Sequence, residues 1–231
     1  MRRLVLFDID GTLIWTAGAG RSAIRQALLA EIGTTGPVDG FRFDGKTDPQ
    51  IVHELLTAAR HPFAGSVMHI DAVCRRYVAL LREELTHGDR EIRIFPGVAR
   101  LLEAIEGQAE YLLGLLTGNV ADGASLKLAA AGLDPARFRV GAFGSDSPDR
   151  PALPAIAAAR AAAVMGRTPS GDEVVIIGDT PADVTCGRAI GARAIGVATG
   201  AYSRRDLELA GAYAAFDDFS DVDAVLDAIG A

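Results

Sequence analysis

The sequence predicts an α/β fold: a parallel sheet sandwiched by helices, with a small all-helical domain inserted after the first strand. Three observations carry this. Short apolar runs without polar alternation recur through the second half of the chain, as expected of strands covered on both faces. Helical stretches separate them, and strand–helix alternation implies parallel strands joined by right-handed crossovers. Between about Thr16 and Ile92, apolar residues fall at helical spacing instead, with no good strand among them.

The elements follow in order. Leu4–Phe7 is the first strand, stopped by Asp8 and Asp10. The insert then offers three helices. Ser22–Ile32 puts Ile24, Ala27 and Leu28 on one face, and Pro49–Ala59 does the same with Ile51, Val52, Leu55 and Leu56. Ser66–Leu85 carries Val67, Ile70, Val73, Cys74, Tyr77, Leu80 and Leu81. Asp48-Pro49 reads as a cap followed by a first-turn proline. Gly18-Ala19-Gly20 and Ile94-Phe95-Pro96-Gly97 read as linkers. They divide the chain into a core domain, 1–15 and 93–231, and a helical domain, 16–92. Within the core, strands are expected at Tyr111–Leu116, Phe138–Phe143, Val174–Ile177, Ala194–Ala198 and Tyr213–Phe216. Helices are expected at Val98–Glu106, Ala121–Ala131, Ala152–Met165, Ala182–Ile190 and Val222–Ile229.

Composition bounds the function. The 231 residues are 49% hydrophobic and 23% charged, values of an ordinary globular chain long enough to bury a core without staples. The net charge of -7 argues against a general binder of nucleic acid or anionic membrane, each of which needs a basic face. One local cation can still hold an anionic substrate. Cys74 and Cys186 form no metal-binding or redox pattern and read as small core residues in a reducing cytoplasm. The Leu4–Phe7 run is too short for a secretory signal, and no window approaches 18 apolar residues.

Four motifs could carry chemistry. In Phe7-Asp8-Ile9-Asp10-Gly11-Thr12-Leu13, an apolar strand ends in two carboxylates before a glycine turn. Ligands of open parallel sheets bind beyond the carboxyl ends of the strands, where both acids would sit. The pair could share a divalent cation or divide the work of nucleophile and proton carrier; an ordinary Asp-Gly turn is the alternative. Val174–Asp183 repeats the pattern, with Asp179 at a strand end and Asp183 one turn on. There Thr180 and Asp183 could simply cap a helix. Thr117-Gly118-Asn119 could cradle an anion or form a plain loop. Arg150, ahead of a proline-marked helix, could supply a fixed charge or lie solvated at the surface.

Two further patterns are decoys. Gly40–Thr47 has Walker A spacing, but a turn-like segment precedes it where a P-loop needs a buried strand. Gly18–Ala23 mimics a dinucleotide fingerprint away from any first strand turn. His53, His61, His69 and His87 read as ordinary surface or half-buried residues. Trp15 is expected at the junction of the two domains or in the pocket.

In combination the four motifs are far more specific. Asp-x-Asp-Gly-Thr, strand-end Thr-Gly-Asn, Arg-Pro and Gly-Asp-Thr-x-x-Asp, in that order, resemble the haloacid dehalogenase superfamily. The likeness is to its phosphatase branch with a helical cap, close to phosphoglycolate phosphatase-like members, and runs from about Leu4 to Thr199. The resemblance implies a Rossmann-like core and a Mg2+-dependent phosphatase acting on a small-molecule phosphate ester. It implies Asp8 as the nucleophile forming an aspartyl-phosphate and Asp10 as general acid and base. Thr117, Gly118 and Asn119 would cradle the phosphate. Arg150 would replace the lysine usual at its position. Asp8, the main-chain carbonyl of Asp10, Asp179 and Asp183 would hold the metal. Arg21, Lys46 and Thr47 are expected to reach substrate from the cap, with Gly18–Gly20 as hinge. A phosphomutase of the β-phosphoglucomutase kind remains the alternative; a P-loop nucleotide binder or a non-catalytic protein is a lesser one.

Overall fold

The computed structural model describes residues 2–86 and 90–231; His87 lies outside them. In chain order the elements are β1 (Arg3–Phe7), β2 (Ile14–Trp15), α1 (Ala19–Ile32), α2 (Asp48–Ala58), α3 (Val67–Thr86), β3 (Arg93–Ile94), α4 (Val98–Glu106) and β4 (Tyr111–Thr117). There follow α5 (Ala121–Ala130), β5 (Val140–Phe143), α6 (Leu153–Met165), β6 (Val174–Gly178), α7 (Pro181–Cys186), β7 (Arg193–Val197), α8 (Arg204–Leu209), β8 (Ala214–Phe216) and α9 (Val222–Gly230).

Six strands form a wholly parallel sheet in the order β5-β4-β1-β6-β7-β8. Successive side chains of a strand face opposite ways, and the sheet buries both sides. Val5, Phe7, Leu113, Leu115, Val175 and Ile177 pack against α4, α5 and α9, where Leu102, Leu128 and Val225 meet them. Leu4, Leu6, Leu112, Leu116, Val174 and Ile176 pack against Leu153, Ala157 and Ala161 of α6. This two-sided burial is why the strands lack alternation. Strand order reverses at β1, and such a switch point opens a crevice at the carboxyl ends of the strands. The register levels those ends, because Phe7 stands beside both Leu115 and Ile177.

Helices α1, α2 and α3 enclose a hydrophobic cluster of their own, with Ile24, Leu28, Val52, Leu55, Val73, Tyr77 and Leu81 at its centre. The chain leaves and rejoins the core through β2 and β3, a two-residue antiparallel pair matching Ile14 with Ile94 and Trp15 with Arg93.

Several expectations change in detail. The glycine linker is shorter than its sequence suggests. Gly18, at φ 77, caps α1, and Ala19 and Gly20 are already helical. The cap of α2 is Thr47, not Asp48; Thr47 Oγ1 accepts from Gln50 N and the Gln50 side chain returns the bond. Helix α7 is six residues long and tightens into a 3-10 turn at Gly187–Ile190. A Cβ on Gly187 would press into Ile176, so the chain closes tightly on β6 there. Helix α8, with a Ser203/Asp206 capping box, was not expected. Among the described residues, no helix is long and apolar enough to cross a membrane.

Candidate active site

The crevice at the switch point opens into a cavity of about 610 Å³ between the sheet edge and the helical insert. Asp8 leaves β1 with its backbone N–H donating to Ile177 O at 2.9 Å, so the strand pairing carries it one residue into the crevice. Asp179 follows β6 directly. Asp183 sits in the first turn of α7, where Thr180 and Asp183 form a reciprocal capping box. Asp183 Oδ2 accepts from Thr180 N at 3.0 Å and Thr180 Oγ1 at 2.6 Å. Capping and site membership therefore coexist in Asp183.

Asp8, Asp179 and Asp183 are all buried, and each offers an oxygen within 4.8 Å of those of the other two. Burial is the main force lifting the Asp8 carboxyl to about 7; Arg150 opposes it, while Asp183 and Asp10 add to it. Burial, then Asp183 and Asp8, raise Asp179 well above the carboxylate range. A compact set of hard oxygen donors under mutual repulsion suits a small divalent cation such as magnesium, which would remove the strain of their charges.

Room for Asp179 is set by two glycines. A Cβ on Gly11, which has φ 81, or on Gly200 would collide with the Asp179 carboxylate. Thr12 Oγ1 donates to Asp179 Oδ1 at 2.9 Å and fixes the side chain.

Arg150 is not a solvated surface residue. It is 4% exposed, stands 3.3 Å from Asp8 Oδ1 and pairs still more closely with Asp183. Burial works against its charge, but Asp183 and Asp8 more than compensate and hold the guanidinium protonated. Thr117 and Asn119 end β4 on the other side. Asn119 Nδ2 donates to Thr117 Oγ1 at 2.8 Å and to Asp10 Oδ2 at 2.8 Å. The Asp10 carboxylate is thus tied to Asn119.

The insert residues divide. Lys46 lines the cavity, yet its ammonium is paired with Glu54 at 2.8 Å. Arg21 also lines it, with its guanidinium donating to Val38 O and Phe41 O and stacked over Phe43. Thr47 is fully buried, is not part of the cavity lining, and donates to Pro148 O at 2.8 Å. The Gly40–Thr47 segment follows a 3-10 turn at Val38–Gly40, not a strand. Its backbone abuts the Thr117-Gly118-Asn119 loop: Asp48 N donates to Gly118 O at 2.8 Å, and a Cβ on Gly118 would overlap Lys46 O. Trp15 is half-exposed at the cavity mouth.

Sequence reasoning missed Lys127, Asp48 and Tyr77. Lys127 is buried on α5 and forms a 2.6 Å ion pair with Asp10. Asp48 accepts from Val120 N at 2.8 Å. The Tyr77 hydroxyl is buried with no hydrogen-bond partner among the described residues. Lys127 left one signal: it falls on the apolar face of its helix, between Ala124 and Leu128.

The haloacid dehalogenase-like hydrolase family model matches residues 5–188, a span that takes in all four motifs and the insert. The chain belongs to the haloacid dehalogenase-like hydrolases. It is 29% identical to Probable phosphatase IndB of Dickeya dadantii, over 96% of this chain and 92% of that protein. It is 27% identical to a phosphoglycolate phosphatase of Rhodospirillum rubrum, over 95% of this chain and 89% of the relative. A hydrolase from Pseudomonas syringae has the same fold, with a TM-score of 0.75 at 24% identity over 99% of each chain.

Proposed function

We infer that this family member is a magnesium-dependent phosphatase that hydrolyses a small-molecule phosphate monoester through an aspartyl-phosphate on Asp8. The observation that carries the reading is the pairing of buried Asp8 with Arg150 beside Asp179 and Asp183, at the switch point of the sheet. Asp8, Asp179, Asp183 and the Asp10 carbonyl would hold magnesium. When bound, the cation offsets the charge of the phosphate and of the acids around it.

An attacking carboxylate and a phosphate dianion repel each other, and Arg150 is placed to counter that repulsion from the protein side. The Asp8 carboxylate oxygen forms the new bond to phosphorus as the ester P–O bond breaks. The departing oxygen takes its proton from Asp10. Water then attacks the aspartyl-phosphate, Asp10 accepts the water proton, and inorganic phosphate leaves. Proton transfer of this kind contributes about 10²–10⁴-fold. Thr117, with Gly118 and Asn119, orients the transferring group. Residues 16–92 act as the cap, 1–15 and 93–231 as the catalytic core, and closure of the cap excludes water. Arg21 and Lys46 contact substrate from the cap. Free Cys74 and Cys186 suit a reducing cytoplasm.

The test is phosphate release from p-nitrophenyl phosphate and a panel of small esters, phosphoglycolate included. Turnover that requires magnesium and disappears in a folded Asp8→Asn protein is the expected result. A fully active Asp8→Asn protein overturns the reading.

A further inference from the structure

Arg150 serves the nucleophile side of the cavity. A second buried cation, with no part in the chemistry above, serves the other side. Lys127 reaches up from α5 with a side chain only 6% exposed. Its ammonium donates to Asp10 Oδ2 at 2.6 Å and to Asn119 Oδ1 at 2.6 Å. Asn119 closes the triangle by donating its own amide N–H to the same Asp10 oxygen and to Thr117 Oγ1. Thr16 Oγ1 approaches the other oxygen, Oδ1, at 3.5 Å. The carboxylate is therefore gripped at one oxygen by two donors and touched at the other by a third.

The insert completes this grip. A Cβ on Gly20 of α1 would stand 3.1 Å from Lys127 Nζ and 3.7 Å from the Tyr77 hydroxyl. A side chain at Gly20 would crowd the ammonium and force it to shift by a few tenths of an ångström. Tyr77, on α3, covers the same space from above. Lys127 is thus a core residue whose burial is finished by two insert helices. Burying an ammonium is costly without close partners, and Lys127 has two within hydrogen-bond distance.

We propose that Lys127 is a positioning residue for Asp10, holding its carboxylate with Asn119 in the orientation required for proton transfer and seated only when the insert covers α5. This rests on the phosphatase reading above. Lys127 acts through Asp10 and does not itself touch the transferring phosphate.

Loss of the lysine should therefore depress kcat and leave KM nearly unchanged. The experiment is a double-mutant cycle with magnesium present, on a small alkyl phosphate ester that the wild type turns over. Lys127→Met should lower kcat by about 10–100-fold, within the span of general acid–base catalysis, with KM altered less than about threefold. In an Asp10→Asn background the same change should cost less than about twofold, because the group it positions is already gone. Lys127→Arg should recover part of the rate. Gly20→Ala, which crowds the ammonium from the insert side, should lower kcat in the same direction and keeps the test open if Lys127→Met does not fold.

An equal loss in both backgrounds, or a rise in KM at constant kcat, overturns the proposal, since either would mean that Lys127 acts on substrate or on the fold. Inactive wild type would overturn the phosphatase reading first and this one with it. Active wild type with an inert Lys127→Met change would overturn this one alone.

Discussion

A buried carboxylate needs a partner, and Asp179 has little beyond the Thr12 hydroxyl. Burial and the charges of Asp183 and Asp8 disfavour its ionised form. Asparagine keeps the shape and the Thr12 bond and removes the charge. Asp179→Asn should therefore make the metal-free protein more stable and abolish turnover. Urea unfolding without magnesium checks it; a lower midpoint in the variant would contradict the account. Gly200 offers the steric counterpart. Alanine there would drive its Cβ into the Asp179 carboxylate. A misplaced site group can cost about 10²-fold in rate, so Gly200→Ala should lose kcat on that scale. A normal rate in that variant would mean that the position of Asp179 does not matter.

Between elements, Asp48 is the clearest joint. It belongs to α2 of the insert, yet its carboxylate accepts from Val120 N at the start of core helix α5. Burial chiefly, with Asp10 adding, lifts it to about 6, against opposition from Lys127 and the Val120 N–H. An acid raised on folding helps the folded state when protonated, at pH below its unfolded value near 4. That help fades as pH climbs through about 6. Asparagine has no such dependence and can still accept from Val120. The melting temperature of Asp48→Asn relative to wild type should therefore be higher at pH 8 than at pH 5, and a gap that narrows with rising pH would refute it. This joint also marks the limit of what was legible. The strands, the helices around them and the insert could be read from apolar periodicity, because two-sided burial and helical stripes leave local marks. The placement of Asp8, Asp10 and Asp179 could be read because each lies just beyond a strand end, and that of Asp183 because it falls one helical turn on from Asp179. Asp48, Lys127 and Tyr77 could not, because what defines them is contact across the seam between insert and core. The docking of the Thr47 loop on Gly118 and Pro148 likewise leaves no local signal. The Ser203-x-x-Asp206 box, by contrast, was in plain view as a helix start.

At the scale of the whole molecule, a chain of net charge -7 gathers three acids in one buried cluster and sets one arginine against them. The arrangement makes the metal-free protein a poised acceptor of cations and protons at the same place. Asp8 rests near 7 and therefore competes for a proton around neutrality, and burial with the charges of Asp183 and Asp8 pushes Asp179 upward as well. A divalent cation takes only ionised carboxylates. Binding must therefore expel protons, and magnesium affinity should rise as pH increases through about 7. The same linkage makes magnesium stabilise the folded chain, by an amount set by its concentration relative to Kd. Calorimetric titration at pH 6.5 in two buffers of different ionisation enthalpy is the direct measurement. Apparent heats that differ between the buffers report released protons, and the difference should shrink by pH 8.5. Asp179→Asn should lose it together with the metal. Equal heats in both buffers at pH 6.5, with magnesium bound, would mean that the acids are already ionised without a cation and that Arg150 alone neutralises the cluster.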